Sequence, residues 1–169
     1  LQKIDIMIKI LSRTDSYLNS ANTKSTILLS LASAMLAAVL LNYDKFLSRL
    51  ETLNDKYVLS LFALISLGLL LMAIYYSIKG VIPYLKNSPH KNIFSFVDLL
   101  HYYEDIEDYI NALSEKNNVD TVKALATLNY NLSGALLKKY SFHAKAIECI
   151  ILSLLSIGLM ILVIVLSQI

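Results

Sequence analysis

Residues 146–169 read AIECIILSLLSIGLMILVIVLSQI, and residues 58–78 read VLSLFALISLGLLLMAIYYSI. Glu148, at the edge of the first of these, is the sole charge in either run. A helix rises about 1.5 Å per residue and a bilayer's hydrocarbon core is about 30 Å thick, so about 20 apolar residues cross it. Both runs meet that length. A third, TILLSLASAMLAAVLL at 26–41, lies near the lower limit of about 17 residues. It reaches across if Ser25 and Asn42 occupy the interface and Lys24 snorkels. The expected spans are therefore about 25–42, 57–78 and 146–167.

Composition agrees. Hydrophobic residues make up 56% of the 169-residue chain and charged residues 17%, against about 25% charged in a soluble domain. A single core of this size cannot hide so much apolar surface, and lipid is the solvent that accepts it. A net charge of +2 is too small to attract a nucleic acid polymer. The lone cysteine, Cys149, excludes an internal disulfide. No glycine-rich phosphate loop, His-Glu-x-x-His, nucleophile elbow or Cys-x-x-Cys occurs, so neither an enzyme nor a bound cofactor is expected.

The flanks orient the spans. Lys3, Lys9, Arg13 and Lys24 precede the first, Lys79, Lys86 and Lys91 follow the second, and Lys138, Lys139 and Lys145 precede the third. Only Lys45, Arg49 and Lys56 lie in the connecting loop 42–57. Basic residues stay inside, which places the N-terminus and residues 1–24 and 79–145 in the cytoplasm and the C-terminus outside. The expectation is one all-α membrane domain over residues 1–169. In it, three transmembrane helices continue inward and, with one further helix, form a cytoplasmic four-helix bundle.

That further helix is read from Phe96, Leu99, Tyr103, Ile106, Ile110 and Leu113, which alternate spacings of three and four as one unbroken seam, with Asn92 as its N-cap. The first helix should start near Lys3 and run into its span. Its stripe is read as 4, 8, 11, 15, 18, 22 and 25. This puts Asp15 and Asn22 inward, with Asn19 one turn from Asp15. A buried carboxylate needs a partner or a wet cavity. Two readings stay open: a polar pocket just inside the membrane, or an ion pair of Asp15 with Lys138 or Lys139. On the last helix, Lys123, Thr127, Asn131 and Lys138 form a stripe that suits an anionic ligand, or a solvated face. Asp98, His101, Asp105 and Asp108 have metal-ligand spacing, but on an acidic helix they read as solvent-exposed, and no metal is expected. Ser30, Ala34 and Ala38 give the first span a face that another helix can approach closely. A constitutive channel lined by Ser30, Ser33, Ser66, Ser153 or Ser156 is a weaker alternative.

These elements resemble the Pycsar transmembrane effector family of bacterial anti-phage defence. The resemblance rests on Asp15, on Ala21-Asn22-Thr23-Lys24-Ser25 before the first span, on Phe94-Ser95-Phe96-Val97-Asp98 after the second, and on Lys139-Tyr140 with Ala144 or Ala146 before the third. Asn22 and Ser25 stand where the family pattern expects Asp and Ala. The resemblance implies an effector of the bacterial inner membrane that responds to a cyclic pyrimidine mononucleotide, cyclic CMP or cyclic UMP, and impairs membrane integrity. The polar stripes and these motifs together make Asp15, Asn19, Asn22, Lys24, Asp98, Asn131, Lys138 and Lys139 the candidate ligand-binding residues, and a homo-oligomer is expected. The alternative is a constitutively oligomeric sensor or scaffold that assembles with a soluble defence partner.

Overall fold

The computed structural model describes residues 2–83 and 91–168. Five helices follow in order: α1 (Gln2–Leu47), α2 (Leu53–Val81), α3 (Phe96–Tyr102), α4 (Ile106–Ser114) and α5 (Asn118–Leu166). Among the described residues there is no strand, and the chain is all-α as expected. Three of the helices, α1, α2 and α5, are long and apolar enough to cross a membrane.

Local chemistry sets the helix ends. No glycine or proline interrupts α1. Thr52 caps α2 reciprocally: its hydroxyl donates to Asp55 Oδ2 at 2.7 Å and accepts from the Asp55 amide at 3.2 Å. The helix stops at Val81, two residues before Pro83, which disfavours helical geometry at Ile82. Asn117 caps α5 by accepting from the Asp120 amide at 2.9 Å. With 49 residues, α5 is about 74 Å long.

The chain divides into two compact units, one of residues 1–21 and 82–138, the other of residues 22–81 and 139–169. The second unit holds the apolar parts of α1, α2 and α5. The buried positions of α2, Leu59, Ala63, Ser66, Leu70, Ala73, Ser77 and Gly80, alternate spacings of four and three, a seam rich in small residues that lets neighbouring backbones approach. Leu70 and Ala73 pack with Ala32, Val39 and Ile150, while Leu59 and Ala63 pack with Leu50, Met160 and Ile164. Serine hydroxyls cross between helices: Ser156 Oγ donates to the Phe62 carbonyl at 2.8 Å and Ser153 Oγ to the Ser66 carbonyl at 3.4 Å. Ser66, Ser153 and Ser156 are thus packed between helices, not set along a pore. Ser30, Ser33, Ala34 and Ala38 are exposed, so α2 and α5 do not use the small-residue face of α1. Leu31, Leu64, Leu71, Ile151 and Leu155 also face outward, an arrangement that suits lipid.

In the first unit, the N-terminal part of α1 packs through Ile4, Met7, Leu11, Thr14, Leu18 and Ala21, which are half-buried or buried. The expected stripe is therefore corrected at alternate positions: Ile8 and Asp15 are exposed, and Thr14 points inward, donating to Asn129 Oδ1 at 2.7 Å. The expected third helix is two helices. Tyr103 takes an extended conformation after α3, and Asp105 caps α4 by accepting from the Asp108 amide at 2.8 Å. Tyr103 turns inward to 8% exposure and meets Tyr109 edge-on, 5.3 Å between ring centroids. The cap of α3 is Ser95, not Asn92. Asn92 is buried and donates to the Ala124 carbonyl at 2.9 Å while accepting from the Phe94 amide at 3.0 Å. It ties the start of this segment to α5. α2 does not contribute to this unit, so its helical pieces differ from those expected for the cytoplasmic part.

Candidate functional site

Two constellations stand out, one in each unit. In the unit of residues 22–81 and 139–169, Lys139 is 7% exposed. Its ammonium donates to the Gly80 carbonyl at 2.6 Å, to Asn22 Oδ1 at 2.9 Å and, at 3.4 Å, to the Val81 carbonyl. The last carbonyls of a helix have no partner within it and carry its partial negative charge. Lys139 supplies both a donor and a cation to the end of α2. Burial pulls its ammonium below the usual lysine range.

One turn further along α5, His143 is 5% exposed. A hydrogen bond joins its Nε2 to Ser25 Oγ at 2.5 Å. Its Nδ1 is buried and has no hydrogen-bond partner among the described residues. A β-carbon on Gly80 would run into Ser25 Oγ and lie 3.2 Å from His143 Nε2, so only glycine lets α2 pass this close. Beside this contact, Lys24 is exposed and stacks over the Tyr140 ring at 5.6 Å.

His143 precedes the third span. Burial first, then the Lys139 and Lys24 charges, lower its pKa from 6.5. An unfolded chain takes up a proton near pH 6.5, whereas the native imidazole resists until lower pH, so acid favours the unfolded state. Stability should be complete above pH 6.5 and fall as the pH drops below it. Thermal unfolding of the detergent-solubilised chain between pH 7.5 and pH 5 checks this. The slope should flatten in His143→Gln, and an unchanged slope would assign the pH dependence to other groups.

In the other unit, a cavity of about 240 Å³ is lined by Lys91, Asn92, Lys116, Asp120, Lys123 and Thr127, with Ala124 at its wall. A second hollow of about 340 Å³ shares Lys91, Lys116 and Asp120 and adds Tyr103 and Glu115. Lys91 stacks on the Tyr103 ring at 3.9 Å and approaches Asp108 Oδ2 at 3.5 Å. Three ammonium groups, a carboxylate, a hydroxyl and the Asn92 amide thus line the first cavity, while Tyr103 and a second carboxylate, Glu115, line the hollow beside it. They suit a ligand with a compact anionic group and a planar, hydrogen-bonding ring.

The structure distributes the candidate residues between the two units. Asn22 and Lys139 are joined directly, with Lys24 near them. Asp15 and Asn19 are exposed on α1, and Lys138 is exposed and Asn131 half-buried on α5. Asp98 is fully buried in the first turn of α3, not on a solvated face. Of the α5 stripe, Lys123 and Thr127 line the cavity. Among the described residues, no three His, Cys, Asp or Glu side chains converge as metal ligands. Sequence reading named Ser25 as a stripe and motif position but not as a site residue, and it did not single out Gly80 at the junction or Lys116 and Asp120 at the cavity, where Lys91 had counted only as a basic flank. For Gly80 a signal exists: it closes the four-three succession of small and apolar residues along α2.

The fold and these sites define an all-helical membrane protein with a polar portion outside the apolar spans. The chain belongs to the family described as the Pycsar effector protein domain, whose model matches residues 6–167. Membership implies an anti-phage effector signalled by a cyclic nucleotide. No curated protein and no solved structure matches the chain.

Proposed function

We propose that the chain is a non-enzymatic effector of the bacterial inner membrane in which the lysine-lined cavity receives the cyclic nucleotide. What carries this reading is the convergence of Lys91, Lys116 and Lys123 on one cavity in a chain of this family. Lys116 and Lys123 hold the cyclic phosphate, while Thr127, Asp120 and Asn92 of the same cavity meet the sugar and base. The basic flanks support a cytoplasmic position for this unit and an outer position for the C-terminus.

The response falls on the spans. α1 and α5 each contribute residues to both units, so a ligand that favours one packing of their polar parts biases the apolar parts as well. That bias is limited by the ligand's differential affinity for the two packings. In an assembly of several copies, the repacked spans no longer seal the bilayer.

The test is dye release from proteoliposomes carrying the full chain, with cyclic CMP or cyclic UMP added on the side of the polar unit. One of them should release dye, and Lys116→Ala with Lys123→Ala should weaken its binding about a hundredfold, given two charge-assisted hydrogen bonds lost. No binding and no release with either nucleotide would overturn the reading.

A further inference from the structure

Outside the spans, two helical faces of the same unit are left open, and they complement each other. On α1, Lys3, Ile6, Ile10, Arg13 and Tyr17 are exposed at spacings of three and four, forming one stripe beside the buried one. Arg13 Nε donates to Tyr17 Oη at 2.8 Å, which orders its basic end. On α4, Ile106 is 71% exposed and Ile110 53%. Leu113 continues that face, and the exposed Glu104 and Glu107 border it. Apolar residues this exposed on a water-facing unit mark an interaction surface.

We propose that a second copy of this chain covers these faces, the basic apolar stripe of α1 from one copy docking on the acidic apolar face of α4 from the other. Charge decides the occupant. The acidic border of α4 is repelled by the anionic headgroups of a cytoplasmic leaflet, but it meets Lys3 and Arg13 of another copy with opposite sign. Because each copy carries both a face and its complement, two copies can satisfy each other reciprocally or several can close a ring. This goes beyond the proposed nucleotide response and needs no nucleotide.

The experiment measures the mass of the full chain in detergent by light scattering across a dilution series, without nucleotide. Lys3→Glu with Arg13→Glu should weaken assembly about tenfold or more, the size expected when exposed pairs turn from attraction to repulsion. Glu104→Lys with Glu107→Lys should do the same. A chain carrying both pairs of reversals should recover assembly, since its faces again match. A monomeric wild-type chain, assembly untouched by either reversal, or no recovery in the combined chain would overturn the proposal. So would assembly that appears only on anionic vesicles. Dye release by a cyclic nucleotide is read separately, so failure of this surface and failure of the sensing cavity are told apart.

Discussion

Replacing Lys139 by methionine should lower the thermal midpoint of the detergent-solubilised chain by roughly 6–12 °C. The side chain keeps its length and most of its packing, so the effect isolates the ammonium. What is lost is the donor to the Gly80 carbonyl and to Asn22. Hydrogen bonds from a charged donor contribute about 1.5–3 kcal/mol each, and a buried acceptor left without one costs about 1–3 kcal/mol. Methionine brings apolar volume in return, so a net loss near 3 kcal/mol is the expected balance. In a chain of this length each kcal/mol moves the midpoint by about 2–4 °C. Lys139→Arg keeps the charge but presents a wider planar donor and should recover part of the loss. A methionine variant as stable as the parent would show that the end of α2 does not depend on this capping.

The second large effect is expected at Gly80, where the usual rule reverses. Glycine to alanine inside a helix ordinarily stabilises by about 1 kcal/mol. At Gly68, on the same helix, nothing lies within 4 Å of the added methyl, and the substitution should be neutral or mildly stabilising. At Gly80 the methyl meets Ser25 Oγ and the His143 ring. Ser25 must rotate and give up its bond to His143 Nε2, or α2 must move away. Overpacking of this kind costs about 1–3 kcal/mol, so Gly80→Ala should destabilise while Gly68→Ala does not. Parallel unfolding curves of the two variants check the sign. Equal shifts would show that α2 has room to adjust. Lys139 and His143 both engage this end of α2, so any repacking of the helices must break or carry these contacts.

Much of the fold was legible because its signals are local. The runs at 26–41, 58–78 and 146–169 announce spans by length and apolar content alone. Pro83 ends α2 through its ring, and Asn117, in the turn before the last helix, caps α5 with its side chain. The face of α1 was harder. Positions 4, 11, 18 and 25 belong to the stripe under either a three-four or a four-three succession, and Met7 and Ile8 are equally apolar. Asn22 is only half-buried, while Ala21 is fully buried and Asp15 is exposed. Sequence periodicity cannot separate the two successions, since both keep one residue per turn on the same side. The break between α3 and α4 was hidden for a related reason: the seam 96–113 stays periodic across the break, where Asp105 caps α4 and Tyr103 is buried.

The sequence by itself determined an all-helical protein with three helices long and apolar enough to cross a membrane, because apolar length and the ending of a helix by proline or a capping side chain are decisions each segment makes alone. Only the tertiary structure decided which faces meet. It assigned Lys139 to the carbonyls of α2, far away in sequence, and set Gly80 against Ser25 and His143. It also brought Lys91, Lys116 and Lys123 to one cavity. Those pairings depend on how closely packed helices rotate against each other. That rotation shows where small residues of α2 meet the other two helices, Ala73 against Ala32 and Ile150 and Gly80 against Ser25 and His143, and no segment carries it alone.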